Sequence, residues 1–83
     1  MKVTVKLYAL LVKYLPGNAV DQTVEVEVPD GVSPHAVLAK FNVPPSECHL
    51  LLINGCFVTP GQRDNFAMKD NDALAVWPPI AGG

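Results

Sequence analysis

Cysteine is scarce in this chain of 83 residues. Cys48 and Cys56 are the only two, too few for the disulfide framework that staples small secreted domains. A cytoplasmic setting with reduced thiols is therefore expected. Charge is sparse as well, at 17% of residues, and six Lys and Arg against eight Asp and Glu leave a formal net charge of −2. The basic residues are scattered, without a stripe and without aromatic interleaving, so nucleic acid is not an expected partner. No apolar segment approaches the roughly 18 residues of a membrane span. The opening Met1-Lys2-Val3-Thr4-Val5-Lys6-Leu7 alternates where a signal peptide would be continuously apolar, so none is expected. A metal site is not expected either. Cys48-His49 has no third ligand or orienting acid at useful spacing, and reads as a packed thiol beside a surface imidazole. Asp70 and Asp72 flank a turn but lack the further oxygen ligands of a calcium loop. Repeats, low-complexity tracts and linkers are missing too.

What is present is apolar and strongly patterned. A hydrophobic fraction of 49% is ample for one core, in a chain near the lower limit for a domain without staples. Residues 2–8 alternate, with Val3, Val5 and Leu7 on one face and Lys2, Thr4, Lys6 and Tyr8 on the other, as in a half-buried strand. Leu10-Leu11-Val12-Lys13-Tyr14-Leu15, stopped by Pro16-Gly17, is long enough for one or two helical turns. A second strand is expected over residues 22–28, with Val24, Val26 and Val28 on one side and a Pro29-Asp30-Gly31 turn after it. Ser33 is a good N-cap and Pro34 suits the first helical position. The helix they open carries Val37, Leu38 and Phe41 on one face and is stopped by Pro44-Pro45. Asn54-Gly55, between Leu50-Leu51-Leu52-Ile53 and Cys56-Phe57-Val58, supplies the two positive-φ residues of a type I′ hairpin. A polar connection carrying Phe66 and Met68 follows, then a turn at Asp70-Asn71-Asp72 and a last strand, Ala73-Leu74-Ala75-Val76-Trp77. The expected fold is α+β with the order ββαβββ. That is the β-grasp (ubiquitin-like) arrangement, a mixed sheet of about five strands with its first and last strands parallel neighbours and one main helix across one face.

The last strand runs straight into Pro78-Pro79-Ile80-Ala81-Gly82-Gly83. Two prolines stop sheet pairing, since neither has an N–H to donate, and they favour an extended path that projects the tail outward. Two final glycines are thin enough to thread a narrow channel, and no Cβ crowds an attack on the terminal carbonyl. Gly-Gly alone would end about one chain in 200 by chance. The whole succession of strand, Pro-Pro, apolar pair and Gly-Gly is far more specific. The expected division is a domain over residues 1–79 and a flexible tail over residues 80–83, with the Gly83 carboxylate as the working group.

These residues resemble the MoaD/ThiS group of ubiquitin-like sulfur carriers, and within it the small subunit of molybdopterin synthase. The resemblance covers most of the chain: the opening strand with its Leu-rich turn ending at Gly17, the Val-rich strand with its Pro-Asp-Gly exit, Ile53-Asn54-Gly55, and above all the run from Asp72 to Gly83. Asn71 stands where the group usually has Gly, and can adopt the same left-handed conformation. Leu10-Leu11-Val12 replaces a stretch that often holds Arg, and Trp77 follows the position of the usual aromatic, which here is Val76.

The resemblance implies a non-catalytic carrier that binds no cofactor stably. An ATP-dependent E1-like enzyme would adenylate the Gly83 carboxylate, and a sulfur donor would displace AMP to leave a covalent 1-thioglycine. Gly82 and Gly83 would then carry the thiocarboxylate into a larger synthase subunit for molybdopterin or tungstopterin synthesis. Thiamin synthesis, another sulfur-transfer route, or joining of Gly83 to lysines of other proteins share the same activation step.

Strand parity indicates the partner surface. Leu74 and Val76 share the core-facing side of the last strand, and Ala73, Ala75 and Trp77 the other. If the first strand pairs beside it, Lys6 and Tyr8 lie near Ala75 and Trp77. With Pro78, Pro79, Ile80 and Ala81 they form the expected contact surface. Trp77 there is either an interface anchor or a cap folded over the core. Cys56, just after the hairpin turn, is either a small apolar filler or an exposed thiol, and His35 is expected to be solvated.

Overall fold

A computed structural model of the chain describes residues 1–79. The expectations for Ile80, Ala81, Gly82 and Gly83, including the boundary of the tail, lie outside the described residues.

Five strands form one sheet: β1 (Lys2–Leu7), β2 (Thr23–Glu27), β3 (Leu50–Ile53), β4 (Cys56–Phe57) and β5 (Ala73–Trp77). Their spatial order is β2-β1-β5-β3-β4. β1 and β5 run parallel, with Val5 beside Leu74 and Leu7 beside Val76. The other neighbouring pairs are antiparallel. The helix α1 (Pro34–Ala39) and three short 3-10 segments complete the described chain. This is the ββαβββ order and the β-grasp topology expected from the pattern.

Alternation decides which way each strand faces. Val3, Val5 and Leu7 of β1, Leu51 and Ile53 of β3, and Leu74 and Val76 of β5 are all buried on one side. α1 adds Val37 and Leu38 to the same core, and the long connection after β4 adds Met68. Each such side chain contributes about 1.5–3 kcal/mol relative to exposure. β5 lies in the middle of the sheet and is hydrogen-bonded on both edges, so its end is held from both sides.

β1, β2 and β4 each end one residue short of expectation, and two further boundaries move for a local reason. Asp21 and Gln22 both take positive φ, 51° and 64°, and close a tight turn in which the Val20 and Thr23 backbones exchange two hydrogen bonds. Gln22 therefore belongs to the turn, and β2 starts at Thr23. α1 ends before the prolines reach it. Asn42 adopts φ 63°, and the N–H groups of Asn42 and Val43 donate to the carbonyls of Ala39 and Leu38. That left-handed C-terminal cap stops the helix one turn early. Its start is as expected: the Ser33 hydroxyl accepts from the Ala36 N–H at 3.1 Å, and Pro34 stands in the first turn.

The hairpin is pinned to the last strand. Asn54 and Gly55 take φ 53° and 82°, as a type I′ turn requires. The Asn54 side chain donates to Asp72 Oδ1 at 2.8 Å and accepts from the Ala73 N–H at 2.9 Å, while its own N–H reaches the Ala73 carbonyl. The second Asp72 oxygen accepts from the Lys69 N–H at 2.8 Å, and Asn71 takes the expected left-handed conformation, φ 69°. The register of β5 against β3 is thereby set by side chains as well as by the ladder.

Candidate functional site

The face of the sheet away from the core is where chemistry-bearing residues and exposed apolar surface meet. In β1 it carries Thr4, Lys6 and, just past the strand, Tyr8. In β5 it carries Ala73, Ala75 and Trp77, all half-buried. Lys6 sits beside Ala75, and on the other side Leu52 faces Ala75 and Leu50 faces Trp77. Phe57, 54% exposed, continues the surface opposite Leu52. The β3–β4–β5 half of this face is apolar, while Lys2, Glu25 and Glu27 charge the β1–β2 half.

Trp77 lies on the open face beside Tyr8, where strand parity put it, and is not folded over the core. Its indole stacks on the Tyr8 ring, with centroids 4.4 Å apart and planes 9° from parallel. It does not join the side chains packed on the core. The Tyr8 N–H donates to the Val76 carbonyl at 3.1 Å, extending the β1–β5 ladder by one bond and holding the two rings in register. Such a stack is worth about 0.5–1.5 kcal/mol beyond area burial, enough to keep Trp77 in place without burying it.

Beside this stack lies a groove of about 340 Å³ lined by Ala9, Leu10, His49, Leu50, Trp77, Pro78 and Pro79. Ala9 has φ 54°, an unusual conformation for a residue with a Cβ, costing roughly 1–2 kcal/mol. It turns the chain abruptly from β1 into the 3-10 helix Ala9–Tyr14. That turn sends Leu11 into the core and leaves Leu10 77% exposed on the rim of the groove. On the opposite wall the His49 N–H donates to the Trp77 carbonyl at 2.9 Å, the last strand bond before Pro78. Pro78 and Pro79 thus leave the sheet lining an apolar groove whose one ionisable lining residue is His49.

Tyr8, Trp77, Pro78 and Pro79 are brought together here. Lys6 and Ala75 lie on the same face but do not line the groove. Ile80, Ala81, Gly82 and Gly83 lie outside the described residues. Sequence reasoning missed Leu10, His49 and Leu50. Leu10 was within reach: in a 3-10 turn, residues three apart share a face, and Lys13 marks the face of Leu10 as outward.

The two cysteines differ sharply. Cys48 is buried, and its thiol contacts the Pro44 carbonyl at 3.6 Å; burial pushes its pKa up, the nearby Arg63 pulls it down, and Glu47 adds to the rise. Cys56 is exposed, so the apolar-filler reading fails: with the turn at Asn54-Gly55 so tight, Cys56 stands at the edge of the sheet. His35 is not simply solvated either. Its Nδ1 lies 2.9 Å from Asp64 Oδ1, its side chain is 21% exposed, and its Nε2 is buried without a partner among the described residues. The loop after β4 folds back onto the start of α1 and encloses it.

Comparison with known proteins adds the lineage. The chain is similar to SAMP1 of Haloferax volcanii, at 24% identity over the whole of both chains with a TM-score of 0.66. It is similar to subunit 1 of the molybdopterin converting factor of Pyrococcus furiosus, at 20% identity over 95% of this chain and 98% of that one, TM-score 0.65. A chain in the complex of subunits 1 and 2 of the Helicobacter pylori molybdopterin-converting factor also matches, at 19% identity over the whole of both, TM-score 0.59. No curated protein sequence matches the chain at a significant level. These likenesses establish the fold. The sequence model of the ThiS family matches residues 12–83, the Pro-Pro and Gly-Gly run included. The chain therefore belongs to the ThiS family of ubiquitin-like, β-grasp sulfur carriers.

Proposed function

We propose that this protein carries sulfur as a thiocarboxylate on Gly83 and donates it, as the small subunit of a synthase, in the making of a molybdopterin or tungstopterin cofactor. The observation that supports the reading most is where the tail starts. Pro78 and Pro79 emerge from the central strand and line the apolar groove. A partner docked on that groove receives whatever the chain carries beyond Pro79. The names of two structural neighbours, subunit 1 of a molybdopterin converting factor and its complex with subunit 2, fit a larger synthase subunit as that partner.

The chemistry asks little of the carrier itself. A carboxylate oxygen attacks the α-phosphorus of ATP, pyrophosphate leaves, and an acyl adenylate forms. A sulfide-level nucleophile then attacks the acyl carbon and AMP departs with the C–O electron pair. Catalytic groups belong to the activating enzyme, and the chain contributes position and effective concentration. Joined to a partner through a folded domain, the tail meets the active site at an effective concentration of about millimolar.

Two reagents test this. A synthetic peptide of residues 77–83 should support ATP–pyrophosphate exchange with the activating enzyme very poorly, although it carries every reacting atom. The chain lacking Gly82 and Gly83 should keep the melting temperature of the full chain, undergo no activation, and inhibit the full chain competitively. Activation of the peptide as efficient as that of the whole protein would refute the role given to the groove.

A further inference from the structure

Among the described residues Arg63 is the one basic side chain that the fold buries, at 2% exposure, and the function described so far does not use it. It follows the short 3-10 segment Pro60–Gln62 and reaches inward beneath the start of β3. Among the described residues its hydrogen-bond partners are backbone carbonyls: Val58 to Nε at 3.2 Å, Cys48 to Nη1 at 2.6 Å, and His49 to Nη2 at 3.2 Å. A buried guanidinium held by carbonyl dipoles is costly to desolvate, and a core position after β4 does not by itself call for one.

The peptide linking Cys48 to His49 gives the arrangement its meaning. Its C=O accepts the shortest Arg63 bond, 2.6 Å, and its N–H donates to the Trp77 carbonyl at 2.9 Å. In a trans peptide these two groups point in opposite directions within one plane. The cation on one side and the end of β5 on the other are therefore joined through a single rigid unit. A charge-assisted bond to the C=O polarises the peptide and strengthens the bond its N–H donates. The same unit carries His49 and leads into Leu50, which form the wall of the groove opposite Ala9 and Leu10.

We infer that Arg63 is a positioning residue for tail presentation: through the Cys48–His49 peptide it fixes the Trp77 carbonyl, and with it the direction in which Pro78 and Pro79 leave the sheet and the shape of the groove. This rests on the reading of the groove and tail as the surface and group delivered to the activating enzyme. Without Arg63 the groove wall and the tail's point of departure lose their common anchor. The chain then spends part of its time in arrangements the enzyme does not bind. The effect belongs in KM for the carrier, because at saturating carrier the enzyme is filled by the competent arrangement; kcat stays near that of the wild type.

The test uses the full-length chain with Arg63→Met, Arg63→Lys and Met68→Ala. Met68 is buried in the core and does not line the groove, so its truncation controls for loss of stability alone. All four proteins are assayed below their melting temperatures. Arg63→Met is expected to raise KM about tenfold in ATP–pyrophosphate exchange and to speed hydrogen exchange of the His49 amide by a similar factor relative to the β1 amides. Arg63→Lys keeps the charge but not the fork and should fall between Arg63→Met and wild type; if Arg63→Met does not fold, Arg63→Lys carries both measurements. Met68→Ala should lower the melting temperature while leaving KM and the relative His49 exchange unchanged. Wild-type KM and wild-type His49 exchange in the Arg63 variants would overturn the inference, as would an equal KM rise in Met68→Ala. If the wild-type chain is not activated at all, the delivery reading fails. The His49 amide then still decides whether Arg63 holds the peptide that fixes Trp77.

Discussion

Cys48 and Cys56 are eight positions apart and chemically opposite. Cys56 stands exposed at the edge of the sheet, whereas Cys48 is buried, and chiefly that burial holds its pKa above the usual thiol value. A thiol reacts through its thiolate, so iodoacetamide should modify Cys56 promptly in the native chain and Cys48 only on unfolding, as read by mass after timed quenching. The same shift sets a pH dependence. A folded-state pKa above the unfolded one means that the native state holds its proton more tightly. Stability from Cys48 is therefore complete below the unfolded thiol's pKa and is lost as pH climbs through the folded value. Tyr14, whose hydroxyl donates to Glu47 Oε2 at 2.6 Å, is raised mainly by that bond and acts in the same direction. Denaturant titrations at rising alkaline pH should show the midpoint falling, and falling less in Cys48→Ala. At this level the sequence was least informative. Nothing in the spacing around Arg63 marks it as buried, because arginine is normally exposed and two of its three carbonyl partners, Cys48 and His49, lie 15 and 14 positions away. His35 misled for the same reason: its neighbour Asp64 lies 29 positions away.

Strands and turns were the most legible features, since their causes are local. Alternation placed Val3, Val5, Leu7, Leu74 and Val76 in the core, and Asn-Gly announced the hairpin. Short elements were harder. The six-residue α1 is closed by Asn42, which carries no signal as strong as the prolines that follow. Asn54 does more than turn the chain. It makes three hydrogen bonds to Asp72 and Ala73, and so aligns the hairpin with the strand that leads to Pro78. Asn54→Ala leaves the buried Asp72 with one partner fewer and puts a Cβ-bearing residue without a polar side chain at φ 53°. The expected cost is about 1–3 kcal/mol, measured by urea denaturation. Asn54→Gly, which relieves the backbone but still lacks the amide, should lose less. Equal stability of Asn54→Ala and wild type would show that the ladder alone sets the register.

The molecule as a whole is a sheet with one face committed to the core and the other left apolar along β3, β4 and β5. Among the described residues no helix is long and apolar enough to cross a membrane. The groove was only partly readable in advance. Trp77, Tyr8, Pro78 and Pro79 follow from strand parity and the parallel β1–β5 pair. His49 and Leu50 depend on the peptide that Arg63 holds, which no periodicity shows, and Leu10, outward by its spacing from Lys13, is brought to the groove by the backbone reversal at Ala9. The topology braces one exit, the end of β5, between β1 and β3. β5 is flanked on both sides, its last carbonyl is bonded to His49, and its last side chain is stacked on Tyr8.

If that exit exists to present a carboxylate for sulfur loading, the decisive quantity is the mass of the protein itself. The full-length chain is incubated with its organism's activating enzyme, ATP and sulfide, and then measured intact and after fragmentation. The expected result is a gain matching one oxygen replaced by sulfur, located at Gly83, retained in Cys56→Ser and missing from the chain that ends at Ala81. No gain, or sulfur found on Cys56 and still taken up by the shortened chain, would contradict a thiocarboxylate carrier.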